Sequence, residues 1–182
     1  MRVITGSARG RKLITLEGDD VRPTTDIVKE ALFSIIQFEI EGRKVIDLFG
    51  GSGQLAIEAL SRGADSAVIV DLSRKSVEVI KQNLEHTGFS KKAVVVQSDA
   101  MSFLSRRTEK YDIALIDPPY SKGLVEAALD KVHEVMNEGG VIICEAPYKD
   151  ELPEYAGNFR LQKKYRYGKT GLFLYRLSEE EA

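Results

Sequence analysis

The chain has 182 residues, of which 43% are hydrophobic and 30% charged, and a formal net charge of -2. This length predicts one domain, and the composition is ordinary for a globular protein that buries its own core. The short apolar runs exclude a membrane-spanning helix, and the first residues lack the apolar stretch of a signal peptide. Since Cys144 is the one cysteine, we expect no internal disulfide, no Cys/His metal centre and a cytoplasmic protein.

The first forty residues differ in pattern from the rest of the chain. Apolar segments at 3–5 and 12–15 flank a glycine-containing stretch, which predicts a small basic hairpin. After Arg22-Pro23-Thr24-Thr25, residues 26–38 have a helical pattern. We therefore expect an N-terminal extension over residues 1–40 that caps a core formed by residues 41–182.

Five short runs rich in Val and Ile alternate with amphipathic stretches along the middle of the chain. The runs are Val45-Ile46, Ala67 to Val70, Ala93 to Val96, Ile113 to Ile116 and Val141 to Cys144. Such runs are typical of strands buried on both faces of a parallel sheet. Helical patterns lie over 54–62, 73–86 and 122–137, with Ser73 as the expected N-cap of the second and Gly139-Gly140 ending the third.

The order of these elements predicts a doubly wound α/β fold with helices on both faces of the sheet. The last two apolar segments, 159–165 and 172–177, are separated by Tyr167-Gly168-Lys169-Thr170-Gly171. This spacing predicts an antiparallel hairpin at the C-terminal end rather than another βαβ unit.

Four of the apolar runs lead directly or within three residues to an aspartate: Asp47, Asp71, Asp99 and Asp117. In open α/β sheets, ligands bind outside the carboxyl ends of the strands, so these carboxylates are expected to surround one crevice. Any single aspartate in such a place is more often a cap for the next turn or helix. Four of them on successive strands favour a ligand site.

A glycine-containing loop, Leu48-Phe49-Gly50-Gly51-Ser52-Gly53, joins Asp47 to the first helix of the predicted core. Glycines permit backbone torsions closed to other residues and let a ligand approach the main chain. Together with Asp71 about 20 residues downstream, the loop fits a site for a nucleoside-like ligand whose ribose hydroxyls Asp71 would bind. The loop alone does not distinguish NAD from S-adenosylmethionine.

The segment Asp117-Pro118-Pro119-Tyr120 distinguishes a site for S-adenosylmethionine from one for NAD. The prolines fix the turn and leave carbonyl groups that can accept hydrogen bonds. A carboxylate, a carbonyl and an aromatic ring in this order suit an exocyclic amino group on a planar base, because two acceptors hold its N–H groups while the ring stacks. A dehydrogenase has no use for this arrangement.

These motifs together resemble class I S-adenosylmethionine-dependent amino-methyltransferases, and several segments outside the core resemble the RsmD family in particular. Those segments are Arg9-Gly10-Arg11-Lys12-Leu13, Arg22-Pro23-Thr24-Thr25-Asp26, Glu58-Ala59-Leu60-Ser61-Arg62 and Asp99-Ala100-Met101-Ser102-Phe103-Leu104. The resemblance covers nearly the whole chain. It implies a Rossmann-like fold with a mostly parallel seven-stranded sheet, and methylation of the N2 amino group of a guanine in bacterial 16S ribosomal RNA.

The resemblance also implies a role for each matching residue. The cofactor would be bound by Asp47, Gly50, Gly51, Gly53, Asp71, Asp99, Ala100 and Met101. The catalytic segment would be Asp117, Pro118, Pro119 and Tyr120, with Asp117 as the acceptor for the amino group. Glu145, at the end of its predicted strand, is a further candidate for holding that group. No metal ion is implied.

The distribution of charge points to a nucleic-acid partner that the net charge alone does not suggest. Ten of the 26 basic residues lie in two segments without acids, residues 1–12 and 160–177. Such segments are either solvated faces of the protein or surfaces that contact phosphates. For phosphate contacts we select Arg9, Arg11, Lys12 and Arg22, although Arg22 to Thr25 could instead touch the cofactor. The resemblance to the RsmD family implies that the partner is 16S RNA in the small ribosomal subunit. A DNA adenine or cytosine amino-methyltransferase and a dinucleotide-binding module without catalysis remain as alternatives.

Overall fold

The computed structural model describes residues 1–17, 25–120 and 123–178. The helices are α1 (Asp26–Ile35), α2 (Gln54–Ser61), α3 (Arg74–Thr87), α4 (Ala100–Leu104) and α5 (Leu124–Val132), and the last continues into a 3-10 turn over His133–Val135. The strands are β1 (Lys44–Asp47), β2 (Ser66–Asp71), β3 (Ala93–Gln97), β4 (Tyr111–Ile116), β5 (Met136–Pro147), β6 (Tyr155–Ala156), β7 (Phe159–Tyr167) and β8 (Thr170–Leu177). None of the helices in these ranges is long and apolar enough to cross a bilayer.

The strands form one sheet in the order β3-β2-β1-β4-β5-β8-β7-β6. Neighbours from β3 to β5 are parallel, whereas β8, β7 and β6 are antiparallel additions. Chain order reverses between β1 and β4, which makes the carboxyl ends of these two strands the switch point where α/β sheets bind ligands. The α/β fold and the C-terminal hairpin are as expected from the sequence.

Alternating side chains divide the core into two clusters, one on each face of the sheet. Val45, Ile69 and Leu115 lie in a cluster that includes side chains of α1, α2 and α3. Ile46 and Ile116 lie in the other, with side chains of α4 and α5. Helices therefore cover both faces, as the βα alternation predicts.

The N-terminal segment contributes to the first of these clusters. Val3, Ala8 and Leu13 are buried in it with α1 and the sheet. The expected hairpin is present in a minimal form, with a single antiparallel bridge between Arg2 and Lys12. The helical pattern over 26–38 corresponds to α1, which ends three residues earlier, at Ile35.

The structure corrects four details of the sequence-based prediction. The described residues form a sheet of eight strands rather than seven, because the two-residue β6 pairs with the start of β7. The helix expected over 122–137 ends at Val132, and β5 begins at Met136, so Gly139 and Gly140 lie in a strand. The run Ala93 to Val96 forms an edge strand in which Val94 is 59% exposed, not a strand buried on both faces. Helix α4 is too short to show a periodicity and was not predicted.

Candidate active site

The predicted acidic residues gather at the carboxyl ends of β1, β2 and β4. Asp47 and Asp71 are the last residues of β1 and β2, and Asp117 follows β4. β1 lies between β2 and β4 in the sheet, so the three carboxylates lie near one another. Burial and the carboxylates of Asp117 and Asp71 raise the pKa of Asp47. Ile116 pairs with Cys144, so the residues that follow them, Asp117 and Glu145, are neighbours where β4 ends.

Asp47 is the most unusual side chain of this group. It is 1% exposed, and within the described part of the chain neither carboxylate oxygen has a hydrogen-bond partner. Desolvation, followed by repulsion from Asp117, raises its pKa from 3.8 to about 7, although nearby N–H groups of Phe49 and Ala56 oppose the rise. A buried carboxylate without partners is costly in a protein interior, so it points to a ligand that supplies positive charge.

The glycine loop turns sharply between β1 and α2. Gly51 and Gly53 have φ of 58° and 81°, a region that side-chain-bearing residues rarely adopt. A Cβ on Gly50 would lie 2.5 Å from Ile69 Cγ2, so this position has no room for a larger residue. Gly53 is the N-cap of α2 and donates its N–H to the Gly50 carbonyl at 2.7 Å. The loop thus brings its main chain and the start of α2 to the switch point.

Asp71 fixes this loop from the neighbouring strand. One carboxylate oxygen accepts the Gly51 N–H at 2.8 Å, and the other accepts the Ser73 N–H at 2.8 Å. The side chain is partly exposed, and a carboxylate has about four lone-pair sites. Asp71 therefore positions the glycine loop and keeps acceptor capacity for a ligand beside it.

Asp99 lies at the start of α4, where it acts as the N-cap. Its Oδ2 accepts the Ser102 N–H at 2.9 Å, and the residue is exposed. Ala100 is buried and Met101 is half-buried against the second core cluster. The capping role expected of a lone aspartate is therefore real here, and the predicted contact with a cofactor would use the remaining acceptor sites.

Asp117, Pro118, Pro119 and Tyr120 leave the sheet directly after β4. Asp117 is half-buried and Pro118 is buried, whereas Pro119 is exposed. Tyr120 is 52% exposed, so its ring is not packed in the core. The structure thus places a half-buried carboxylate, two prolines and an exposed aromatic ring directly after β4, the strand that pairs with β1 and its terminal Asp47. No group of three metal-ligating side chains occurs among the described residues.

The basic residues selected in the N-terminal hairpin, Arg9, Arg11 and Lys12, are all exposed. Arg22, the fourth one selected, lies outside the described residues, as do Pro23 and Thr24. The basic tip of the hairpin rests on α2, where Ser61 Oγ accepts the Ala8 N–H at 3.0 Å and donates to the Thr5 carbonyl at 2.6 Å. The charges are thus held on a fixed support.

A buried ion pair beneath the hairpin strengthens this attachment. Glu58 is fully buried and accepts the N–H groups of Ile4 and Thr5, each at 2.9 Å. Lys29 is also fully buried, with Nζ 3.7 Å from Glu58 and 2.7 Å from the Arg2 carbonyl. Burial lowers the pKa of Lys29, and Glu58 opposes that change. The segment containing Glu58 and Ser61, which resembled the RsmD family, therefore holds the hairpin in place.

Asn83 extends the same support to the glycine loop. It is fully buried on α3 and binds both backbone polar groups of Ile14, at 2.8 and 3.0 Å. Its amide also donates to the Ser52 carbonyl at 2.9 Å. Sequence reasoning missed Lys29 and Asn83, although each is a polar residue on the apolar face of its helix, and that pattern was the available signal.

The second basic segment is partly neutralised in three dimensions. Arg176 forms a two-pronged pair with Glu39, one contact being 2.7 Å, and Arg160 lies 3.0 Å from Glu154. Tyr175 is fully buried and donates its hydroxyl to the Pro153 carbonyl. Four cations therefore remain without a carboxylate partner among the described residues of this segment: Lys163, Lys164, Arg166 and Lys169.

Comparison with known proteins identifies the family. The family model described as "Conserved hypothetical protein 95" matches residues 1–176. "Ribosomal RNA small subunit methyltransferase D" of Escherichia coli is 34% identical, with 100% of this chain and 91% of that protein covered. "Putative rRNA methyltransferase YlbH" of Bacillus subtilis is 39% identical over 97% of this chain and 98% of that protein.

A solved structure gives the same assignment. "Putative methyltransferase yhhF from Escherichia coli" superposes with a TM-score of 0.88 and 32% identity, covering 98% of each chain. The family match, the curated relatives and this solved structure point to the same family. The chain therefore belongs to the RsmD family and is a methyltransferase with the class I fold.

Proposed function

We propose that this protein transfers a methyl group from S-adenosylmethionine to the N2 amino group of a guanine in 16S RNA of the small ribosomal subunit. The observation that carries the proposal is the placement of Asp117-Pro118-Pro119-Tyr120 beside the buried, unpartnered Asp47. The relatives named as small-subunit rRNA methyltransferases supply the class of substrate. A ribosomal substrate also supports the cytoplasm as the site of action.

The polar groups at the strand ends suit the charge and hydrogen-bonding groups of the cofactor. S-adenosylmethionine has a cationic amino group, and the orphaned carboxylate of Asp47 is suited to pair with it. Gly50, Gly51 and Gly53 would pass beneath the methionine part, while Asp71 would accept from the ribose hydroxyls. Asp99, Ala100 and Met101 are assigned to the adenine. When bound, the cofactor supplies an electrophilic methyl group on a sulfonium.

The residues after β4 would prepare the guanine amino group for attack. Its lone pair is delocalised into the ring, which makes it a poor nucleophile until it is oriented. Asp117 and the Pro118 carbonyl would accept its two N–H bonds, favouring a pyramidal nitrogen aligned with the methyl–sulfur bond. The amine becomes acidic as it gains the methyl group, so Asp117 can take the proton during or after transfer. Pro119 fixes the turn.

Tyr120 is assigned to binding the base. Its exposed ring would stack on a guanine splayed out of the RNA, which is how bases in single strands and loops are usually recognised. Arg9, Arg11 and Lys12 on the anchored hairpin would contact phosphates, and Arg22 is assigned to the same surface. Phosphate contacts position the RNA, and the pocket around Asp117 selects the base.

Labelled methyl transfer separates this proposal from its alternatives. Wild-type protein is incubated with labelled S-adenosylmethionine and either small ribosomal subunits, 16S RNA or duplex DNA. We expect label in the small-subunit RNA and none in DNA; the reverse would establish a DNA amino-methyltransferase. In a parallel thermal titration, S-adenosylmethionine should stabilise the protein and NAD should not. Stabilisation by NAD alone would indicate a dinucleotide-binding module.

A further inference from the structure

The turn between β7 and β8 places a second group of cations on the same edge of the sheet as Asp117. Pro147, at the end of β5, pairs with Thr170, the first residue of β8. The 168–169 turn therefore lies where the parallel strands finish, and β7 is separated from β4 by β5 and β8. At about 4.8 Å per strand spacing, β7 is roughly 14 Å from β4. That distance brings these cations within reach of RNA whose target base is at Asp117.

Arg166 is fixed in place at this edge by two contacts. Its Nε donates to the Gly168 carbonyl at 3.1 Å, and its guanidinium carbon lies 5.0 Å from the centroid of the Tyr148 ring. Tyr148, in the loop after β5, donates its N–H to the Lys169 carbonyl at 2.8 Å. Within the described ranges, neither terminal nitrogen of Arg166 forms a hydrogen bond. The guanidinium group of Arg166, which can bind a phosphate through two parallel hydrogen bonds, is thus oriented before any ligand binds.

Lys164 approaches the same tyrosine. Its Nζ lies 4.4 Å from the centroid of Tyr148 and donates to the Asp150 carbonyl at 3.1 Å. Two cations therefore share one aromatic ring, and neither forms an ion pair with a carboxylate in the described part of the chain. Cation–π contact orients the charges without cancelling them, so the cluster is suited to an anion.

At the opposite end of β7, Arg160 is an arginine whose charge is neutralised within the protein. Arg160 also lies over a tyrosine, 5.8 Å from the centroid of Tyr155. It differs from Arg166 because Glu154 neutralises it through two hydrogen bonds, from Nε at 3.2 Å and Nη2 at 3.0 Å. Arg160 is also at the end of β7 remote from the 168–169 turn. One strand thus contains an arginine open to an anion and a neutralised counterpart.

We propose that Tyr148, Lys164 and Arg166 form a phosphate-binding site for the RNA strand beside the target nucleotide. The inference rests on the proposed function for the identity of the RNA and extends it to a site remote from the N-terminal hairpin. The two clusters would contact the RNA at separate points and so fix its direction across the crevice. Such contacts contribute affinity and register, while the choice of base stays with the pocket at Asp117.

The test measures binding of purified 16S RNA at several salt concentrations by wild-type protein and three variants. For Arg166→Ala, we expect the Kd to rise about tenfold. The negative slope of log K against log salt should become less steep by about 0.7 to 0.9, as for one lost phosphate contact. Arg166→Lys keeps the positive charge but loses the bidentate guanidinium. Its salt slope should therefore match that of wild type, and its Kd should rise less than that of Arg166→Ala. Arg160→Ala should match wild type in both.

The controls separate this inference from the proposed function. S-adenosylmethionine affinity and the melting temperature should be unchanged in Arg166→Ala. Equal RNA binding by Arg166→Ala and wild type, or equal losses in Arg166→Ala and Arg160→Ala, would overturn the site. Wild-type methyl transfer to small ribosomal subunits is measured alongside. Failure of that transfer with a clear Arg166 effect would reject only the proposed function, and failure to bind 16S RNA at all would reject both.

Discussion

The crevice at the strand ends and the N-terminal hairpin both contain buried charge, but they treat it in opposite ways. Beneath the hairpin, Glu58 is matched by Lys29, Arg62 and two backbone N–H groups. At the crevice, the carboxylate of Asp47 is equally buried and has no hydrogen-bond partner among the described residues. Satisfied buried charge serves architecture, whereas unsatisfied buried charge marks the place where a ligand completes the structure.

The largest effect on activity is expected from a change at Asp117, at the carboxyl ends of the strands. Asp117→Ala removes the acceptor for the amino group, and we expect methyl transfer to fall by about 10²- to 10⁴-fold. Cofactor affinity should survive, since Asp117 is assigned to the base. Asp130→Ala, which removes an exposed carboxylate from α5, is the matched control. Loss of activity and cofactor binding together would indicate a folding defect.

Removing Glu58 tests whether the charge beneath the hairpin is structural. Glu58→Ala leaves Lys29 buried and unpaired and frees the N–H groups of Ile4 and Thr5. We expect the free energy of unfolding, measured in denaturant, to fall by about 3–5 kcal/mol. Glu78→Ala removes an exposed i,i+4 partner of Arg74 and should change it by less than about 0.5 kcal/mol. Similar values for both variants would show that the buried pair contributes little.

Asp47 should make stability depend on pH in the direction set by its raised pKa. Its pKa is about 7 in the fold, against 3.8 for an ordinary aspartate, so the folded protein binds the extra proton between these values. The stabilisation due to that proton is full below about pH 4 and is lost as pH rises to about 7. Without cofactor, the stability of Asp47→Asn relative to wild type should therefore increase from pH 4 to pH 7 and then level off. A constant difference across this range would contradict the assignment.

Charge reversal on the hairpin and loss of Asp71 should act on different ligands. Reversing Arg9, Arg11 and Lys12 together should weaken RNA binding by about one to two orders of magnitude and reduce its salt dependence, with cofactor affinity unchanged.

Asp71→Ala should weaken cofactor binding about tenfold, because it removes a carboxylate acceptor and the contact that holds Gly51. Titrations with each ligand check both variants. RNA binding that is insensitive to salt would count against the hairpin surface.

Local patterns correctly predicted the sheet and the gathering of aspartates at its strand ends. Short runs of Val and Ile followed by aspartate identified β1, β2 and β4, because a parallel sheet aligns the ends of its strands. Local patterns gave the wrong secondary structure or burial at positions that strand pairing determines. Met136 continues the helical spacing of α5, yet it pairs with Tyr111 and begins β5. The apolar Val94 suggested a buried position, but β3 is an edge strand.

Contacts between distant residues were beyond the reach of sequence patterns. The segment 160–177 contains no acid, yet Arg176 is paired with Glu39, 137 residues away in the chain. The roles of Lys29 and Asn83 likewise depend on backbone groups of the N-terminal segment. The sequence therefore overstated the amount of unpaired positive charge in this segment. Among the described residues, Lys163, Lys164, Arg166 and Lys169 are its cations without a carboxylate partner.

The most direct test of the account is the identity of the methylated nucleoside. Small ribosomal subunits are incubated with labelled S-adenosylmethionine and protein, and their RNA is digested to nucleosides and analysed by mass spectrometry. With wild-type protein we expect label in N2-methylguanosine from 16S RNA, and with Asp117→Ala we expect that label to fall by at least about a hundredfold. Label in a methylated adenosine or cytidine, or in ribosomal protein, would contradict the assignment of the site to a guanine amino group.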